Sequence, residues 1–194
     1  MRLTYYSLSC GVRYIEVPKC ASTSIKLALL ESDGLREMFG EYPHACRRWR
    51  NVPGYFKPCA VFTFVRHPLS RLQSSWREKL QTGKAKQLGG ACPLPITATF
   101  DEWVEWIVGQ RRDRVDKHWR PQTRILKQEP WPDFIGKIET LGDDWTRLVD
   151  EYGLPRLPHA NDSTPKEPER VGDETLERIA KFYADDFKTL DYSI

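Results

Sequence analysis

VPKCASTS (residues 17–24) and FVRHPLSRLQS (residues 64–74) are the two stretches that decide the fold of this chain. Each follows an apolar, β-branched run that predicts a buried strand, and each leads into an apolar period that predicts a helix. A helix N-terminus presents unpaired N–H groups, which bind anions. The first stretch adds Lys19 and hydroxyl groups, and the second adds Arg66 and Ser74. We therefore expect two anion sites, as a ligand with two separated phosphates would need.

The segments around these stretches alternate between strand and helix patterns. Strands are predicted at 13–17 (RYIEV), 60–65 (AVFTFV) and 134–139 (FIGKIE). Five helices are predicted: from Ser22 to about Leu30, from Pro68 onward, after Thr99, at 141–152 and at 176–183. Ser22 or Ser24 is the expected cap of the first, and Thr99 and Glu102 form a capping box before the third. Gly153 is expected to end the fourth. This order predicts an α/β fold, a single domain over residues 1–194 with a central, mainly parallel sheet flanked by helices. Ligands of such folds bind beyond the carboxyl ends of the strands.

Length and composition exclude several classes of protein. The 194 residues are 40% hydrophobic, which argues against disorder, and no run of 18 apolar residues predicts a membrane span. The first 17 residues lack the apolar core of a secretory signal. The five cysteines are odd in number without a CxxC pair, so we expect free thiols and no metal site. These features predict a cytoplasmic or otherwise soluble protein.

The net charge of +3 is too small to indicate a nucleic-acid-binding protein. Arginines nevertheless cluster in two predicted loops, at positions 47, 48 and 50 and at positions 111, 112 and 114. Two interpretations stay open for each cluster. It is either solvated surface charge or part of an electropositive rim that attracts an anionic ligand.

Four ordered blocks together resemble the PAPS-dependent sulfotransferases, PAPS being 3′-phosphoadenosine 5′-phosphosulfate. The blocks are PKCASTS at 18–24, FVRHPLSRLQSSW at 64–76, His118-Trp119, and DFIGKIETL at 133–141, with YADDF at 183–187 and Tyr192 in support. They are most similar to the Golgi carbohydrate sulfotransferases, which include chondroitin 4-O-type enzymes. The resemblance implies a P-loop-NTPase-like sulfotransferase fold. It also implies transfer of a sulfuryl group from PAPS to a hydroxyl acceptor, a carbohydrate, with neither metal nor nucleic acid required.

The resemblance also implies roles for individual residues. Lys19 would stabilise the charge on the bridging oxygen of the phosphosulfate, and the loop would hold the 5′-phosphosulfate through Pro18, Lys19, Cys20, Ala21, Ser22, Thr23 and Ser24. Arg66 and Ser74 would bind the 3′-phosphate. Ser163 and Thr164 lie in a segment that we expect to close over the nucleotide. The resemblance favours His44 as the general base, because heparan-type relatives place a catalytic histidine in this loop, and His118 is the second candidate.

The chain departs from the family pattern at several points. His67 stands where the family has an acidic residue, which removes an acceptor from the turn before Pro68. The membrane anchor and stem of the Golgi enzymes, and their cysteine pair after the HW block, have no counterpart. We therefore expect a compact, soluble form without an integral membrane segment.

Other functions are weighed against this hypothesis. The chain could be an inactive, sulfotransferase-like protein that still binds nucleotide, or a module that binds RNA or another polyanion through its arginine clusters. A magnesium-dependent phosphotransferase would need a carboxylate beside the phosphate loop, and Arg66 stands at the corresponding position after the central strand. The first loop also lacks the glycines of a Walker A motif.

Overall fold

A four-stranded sheet organises the first part of the fold, in a computed structural model that describes residues 4–39, 58–84, 92–112, 114–127, 130–158 and 170–194. The strand order is β1 (Thr4–Ser7), β2 (Val12–Ile15), β3 (Ala60–Val65) and β4 (Phe134–Lys137). β1 pairs with β2 in the antiparallel direction, and β2, β3 and β4 run parallel. The carboxyl ends of these three strands therefore lie at one edge of the sheet, and the predicted α/β class with a mainly parallel sheet is confirmed.

The strand predictions differ in accuracy. β3 has the predicted bounds, because its apolar run is buried along nearly all its length. β2 begins one residue earlier than predicted and ends before Glu16, and β4 passes into a 3₁₀ turn at Ile138–Thr140. β1 was not predicted, since four residues give little periodicity. It forms because the chain reverses over residues 8–11, where Gly11 adopts a φ of 66°.

The five predicted helices are present, and three short helices that were not predicted, at 36–39, 122–126 and 184–189, are added to them. They are α1 (Ser22–Ser32), α2 (Arg36–Phe39), α3 (Pro68–Ser75), α4 (Phe100–Val108), α5 (Gln122–Leu126), α6 (Leu141–Tyr152), α7 (Asp173–Phe182) and α8 (Ala184–Thr189). A π-helical turn over Trp76–Leu80 extends α3. The capping box before α4 is present, with the Thr99 N–H donating to Glu102 over 2.7 Å, and Gly153 ends α6 at a φ of 65°. No helix within the described ranges is long and apolar enough to cross a bilayer.

The chain divides into two compact units, one built on the sheet and one built on helices. In the described chain, the first unit comprises 4–39, 58–65 and 130–158, and the second comprises 66–84, 92–112, 114–127 and 170–194. In the first unit, α1 contacts β1 and α6 contacts β4. Its core is aromatic, with Trp145 of α6 lying 6.1 Å from the Phe62 ring and 6.0 Å from the Phe64 ring.

The helical unit has its own hydrophobic core. α3 with its π-helical extension, α4 and α7 contribute most of its side chains, including Leu72, Trp76, Phe100, Trp103, Val104, Ile107, Ile179 and Phe182, with Trp119 added from the segment before α5. The Trp103 and Trp119 rings lie 4.9 Å apart, edge to face. This packing holds α3, which carries Ser74, within the helical unit.

Candidate functional site

The loop after β2 is held in a conformation that side chains rarely adopt. Lys19 has a φ of 72° and Ala21 has a φ of 51°, although neither is glycine. The left-handed region costs a residue with a Cβ atom about 1–2 kcal/mol. Turns that contain such residues bring successive backbone N–H groups together as an anion-binding concavity. The loop geometry thus fits the phosphate-binding role that the sequence predicts for residues 18–24.

Ala21 occupies the N-cap position of α1. In the described chain the helix has no side-chain cap hydrogen bond, so the prediction that Ser22 or Ser24 caps it is wrong. The first helical hydrogen bond runs from the Ile25 N–H to the Ala21 carbonyl over 3.1 Å. The N–H groups of Ser22, Thr23 and Ser24 precede the first helical hydrogen bond, and the first turn contains no acidic residue. This helix end is therefore suited to an anion and not to a carboxylate of its own chain.

A buried ion pair connects the two sides of this loop. Glu16, which follows β2, lies 3.1 Å from the Nζ atom of Lys26 in α1, and both side chains are almost fully buried. Cys20 is also buried, with its thiol 3.8 Å from the Pro18 carbonyl oxygen. Both contacts fix the path of the loop between the strand and the helix.

Arg66 follows β3 directly, and its backbone is bound on both sides by one side chain. The Arg66 N–H donates to Oε1 of Gln122 over 3.0 Å, and Nε2 of Gln122 donates to the Arg66 carbonyl over 2.8 Å. Gln122 is fully buried. Among the described residues, none forms a hydrogen bond or ion pair with the half-buried Arg66 guanidinium. Within the part of the chain that the structure describes, no other side chain thus competes with a ligand for this cation.

A buried carboxylate holds Gln122 in turn. The Gln122 N–H donates to Oδ2 of Asp186 over 2.7 Å, while the Thr123 N–H and hydroxyl donate to Oδ1 over 2.9 and 2.7 Å. Asp186 is completely buried, and it thus satisfies the N–H groups at the start of α5. The residue comes from α8, more than 60 positions along the chain.

α3 begins at Pro68, as predicted, and carries Ser74 in its last turn. His67 occupies the N-cap position, and its Nε2 atom lies 2.8 Å from the Ser193 carbonyl. The His67 ring packs edge-on against Phe187 and Tyr192, with ring centroids 5.6 and 5.4 Å away. The histidine that replaces the family's acidic residue therefore binds the C-terminal segment to the turn.

His118 forms a close pair with a carboxylate. Its Nδ1 atom lies 2.6 Å from Oδ1 of Asp116, and its backbone N–H donates to the same oxygen over 2.9 Å. Burial lowers the pKa of His118 and outweighs the raising effect of Asp116. Burial alone would raise the pKa of Asp116, but the hydrogen bonds from His118 bring that pKa below its usual value. The ring is therefore neutral at pH 7, and Asp116 fixes its orientation through Nδ1.

The segment that carries His118 is bound to α3 by buried polar side chains. Ser75 donates its hydroxyl to the His118 carbonyl over 2.7 Å. The buried Arg71 guanidinium donates to the Lys117 and Arg120 carbonyls over 3.0 and 2.8 Å. The element that carries Ser74 and the segment that carries His118 thus share one hydrogen-bond network within the helical unit.

Several predicted residues lie outside the described part of the chain. These are His44, Ser163 and Thr164, and the arginines at 47, 48 and 50. In the second arginine cluster, Arg112 donates to the Lys181 carbonyl over 2.7 Å and lies 5.3 Å from the centre of the Phe182 ring. Arg112 thus packs on α7. The described residues contain no group of three or more metal-ligating side chains suited to a metal ion.

Sequence reasoning missed the residues that support the candidate site: Asp116, Gln122 and Asp186. Asp116 had a local signal, since an Asp-x-His spacing allows the carboxylate to reach the ring. Gln122 follows Pro121 at the start of a helix, where a polar side chain is unremarkable. Asp186 lies in the YADDF block, but its partners are far away in sequence and no local pattern identifies them.

Comparison with known proteins gives one consistent result. The sequence profile described as the sulfotransferase family matches residues 5–193. Human carbohydrate sulfotransferase 14 is 30% identical in an alignment of 119 positions that covers 54% of this chain and 30% of that protein. Human carbohydrate sulfotransferase 9 is 25% identical in an alignment of 179 positions that covers 75% of this chain and 40% of that protein. Zebrafish carbohydrate sulfotransferase 14 is 30% identical in an alignment of 118 positions that covers 53% of this chain and 31% of that protein. The chain thus spans less than half the length of these curated relatives, and no solved structure matches significantly.

Proposed function

This chain belongs to the sulfotransferase family, and from that premise we propose that it transfers the sulfuryl group of PAPS to a carbohydrate hydroxyl. The observation that carries the proposal is the strand–loop–helix unit at residues 12–32. There the PKCASTS loop, which resembles that of the family, has Lys19 and Ala21 in the left-handed backbone conformation. It leads into a helix that has no side-chain cap hydrogen bond at its N-terminus in the described chain. Such a unit binds an anion without help from a metal ion.

The donor nucleotide would be bound by two elements. The loop from Pro18 to Ser24 would hold the 5′-phosphosulfate through backbone N–H groups and hydroxyls, as the family resemblance implies. Arg66 and Ser74 would bind the 3′-phosphate, because a guanidinium can form two parallel hydrogen bonds with a phosphate. Ser163 and Thr164 would contribute from the closing segment.

Lys19 would act at the reacting centre. In an in-line displacement, the acceptor oxygen attacks sulfur, the bond between sulfur and the bridging oxygen breaks, and adenosine 3′,5′-bisphosphate leaves. Negative charge grows on the bridging oxygen as that bond breaks. An ammonium group at this oxygen stabilises the transition state more than the ground state, and it thereby accelerates the reaction.

His118 is the base that the described geometry supports best. With Nδ1 paired to Asp116, Nε2 is the nitrogen that can accept the proton of the acceptor hydroxyl. A neutral ring at pH 7 suits this role, since a protonated imidazole has no acceptor nitrogen. His44, the base that the sequence prediction favours, lies outside the described residues and stays the other candidate.

The acceptor class rests on the relatives. Those that match are named as carbohydrate sulfotransferases, which is the reason for proposing a carbohydrate hydroxyl here. Loops form the acceptor sites of α/β enzymes, so the individual sugar varies more readily than the donor.

Calorimetric binding of adenosine 3′,5′-bisphosphate, followed by transfer of radiolabelled sulfate from PAPS to a panel of polysaccharides, tests the proposal. We expect binding by the wild type and transfer to at least one polysaccharide. Binding without transfer to any acceptor would indicate the inactive, nucleotide-binding alternative. A wild-type protein that binds neither PAPS nor the bisphosphate would overturn the assignment.

A further inference from the structure

We propose that Gln122 and Asp186 are positioning residues that aim the Arg66 guanidinium at the 3′-phosphate of the donor nucleotide. The inference rests on the proposed function, because it names what sets the geometry of one of its binding groups. Neither residue touches the ligand in this proposal. Gln122 acts through the Arg66 backbone, and Asp186 acts through Gln122.

The first step of the argument is the two-sided contact with Arg66. One carboxamide accepts the Arg66 N–H and donates to the Arg66 carbonyl, over 3.0 and 2.8 Å. These two bonds fix the peptide groups on both sides of the Arg66 Cα atom. The direction of the Cα–Cβ bond, from which the guanidinium extends, is thereby set as well.

The second step is that β3 ends just before this position. Val65 is the last residue paired in the sheet, and α3 starts at Pro68. Arg66 lies between the last ladder pair and the first hydrogen bond of α3, in which the His67 carbonyl accepts the Arg71 N–H over 2.9 Å, and Pro68 has no N–H group. The Gln122 side chain replaces the neighbouring strand for Arg66, since it offers one donor and one acceptor as a strand would.

The third step is the rigidity of Gln122 itself. The Gln122 N–H, the Thr123 N–H and the Thr123 hydroxyl all donate to the carboxylate of Asp186, which is completely buried. Hydrogen bonds to a charged acceptor are stronger than neutral ones, and a buried carboxylate that lost them would be unfavourable. The fixed point of the arrangement is therefore Asp186, and Gln122 transmits its position to Arg66.

The arrangement leaves the guanidinium free of competing contacts in the described chain, while its backbone is held on both sides. This is the condition for binding a phosphate with little rearrangement, because the cation does not first have to leave a carboxylate. A residue that only needed packing would not require both backbone groups to be bound by the same fully buried carboxamide.

Gln122→Met tests the proposal, because methionine keeps the volume and removes both hydrogen bonds to Arg66. Affinities are measured for adenosine 3′,5′-bisphosphate and for adenosine 5′-monophosphate, which lacks the 3′-phosphate. We expect the bisphosphate to bind about tenfold more weakly than to the wild type, with the monophosphate affinity unchanged within twofold. Arg66→Ala should give the same pattern with a larger loss, and Asp186→Asn should reproduce it with a smaller one.

Thr123→Val is the matched control, since it removes a buried hydrogen bond to Asp186 without touching Gln122 or Arg66. It should lower thermal stability as Gln122→Met does, yet keep the wild-type ratio of the two nucleotide affinities. Equal losses for both nucleotides in Gln122→Met, or an unchanged ratio, would refute the positioning role. A wild type that binds no bisphosphate would instead refute the proposed function, so the two failures are distinguishable.

Discussion

The effect of replacing Lys19 on rate and on affinity distinguishes a catalytic role of its ammonium group from a binding role. If the ammonium stabilises the bridging oxygen only as the bond to sulfur breaks, its loss should lower the rate far more than the affinity. We expect Lys19→Met to reduce the single-turnover rate of sulfate transfer by about 10²–10³-fold, the usual effect of removing one electrostatic stabiliser. The affinity for adenosine 3′,5′-bisphosphate should change less than about tenfold. A loss confined to affinity would assign Lys19 to ground-state binding.

The pair formed by His118 and Asp116 predicts a pH profile. Burial lowers the pKa of His118 below its usual 6.5, so the fraction of neutral base, and with it kcat/KM, should rise with pH to a plateau reached through a midpoint below 6.5. Asp116→Asn removes the carboxylate that favours the imidazolium form. The midpoint should then move to still lower pH, and the plateau should fall because the ring loses its fixed orientation.

The matched variant for this experiment is His118→Gln. It should abolish the acidic limb if His118 is the base. Persistence of the same acidic limb and rate in His118→Gln would exclude this role and favour His44.

At the level of elements, Gly136 in β4 lies so close to the Phe64 ring that only a residue without a Cβ atom fits there. A Cβ atom at Gly136 would lie 2.4 Å from the Phe64 ring, which is fully buried and packed against Trp145. Neither ring has space to move away, since interiors are close-packed. We expect Gly136→Ala to lower the free energy of unfolding by about 1–3 kcal/mol, the usual effect of overpacking a core.

The control for this prediction is Gly142→Ala in α6, where an added Cβ meets no atom within 4 Å. It should raise the free energy of unfolding by about 0.5–1 kcal/mol, because alanine restricts the unfolded chain and favours the helix. Urea denaturation measures both variants. If both variants changed the free energy of unfolding in the same direction, the contact with Phe64 would not determine the effect of Gly136→Ala.

The elements also show which parts of the fold can be predicted from residues that are near one another in sequence. β3 and the capping box of α4 were predicted with their bounds, because each depends on residues that are near one another in sequence. β1 was missed, since four residues are stabilised by pairing with β2 and by the turn at Gly11. The open N-terminus of α1 was missed for a related reason: serine at the start of a helix normally indicates a cap, whereas here the residues lie beyond a left-handed Ala21.

For the whole molecule, the residues that we propose for the chemistry were named from the sequence, and the residues that support one of them were not. Lys19, Arg66, Ser74 and His118 stand in short motifs that local sequence displays. Gln122 binds the Arg66 backbone across 56 residues of sequence, and Asp186 binds Gln122 across 64. Such pairing follows only from the folded chain. Prediction of the support for a site therefore needs tertiary structure even where its reacting groups can be read directly.

The charge of the whole molecule separates nucleotide recognition from polyanion binding. A net charge of +3 gives only a weak general attraction for anions, so specific binding must arise from local contacts. Contacts shorter than the Debye length are screened little, and we expect the affinity for adenosine 3′,5′-bisphosphate to fall less than about tenfold between 50 and 200 mM salt. A polyanion module that neutralises many phosphates would instead lose about 10³–10⁵-fold in RNA affinity over this range. Calorimetry at both salt concentrations, with the bisphosphate and with single-stranded RNA, makes the comparison. Tight RNA binding with that steep loss, retained in Lys19→Met, would favour the polyanion function over sulfate transfer.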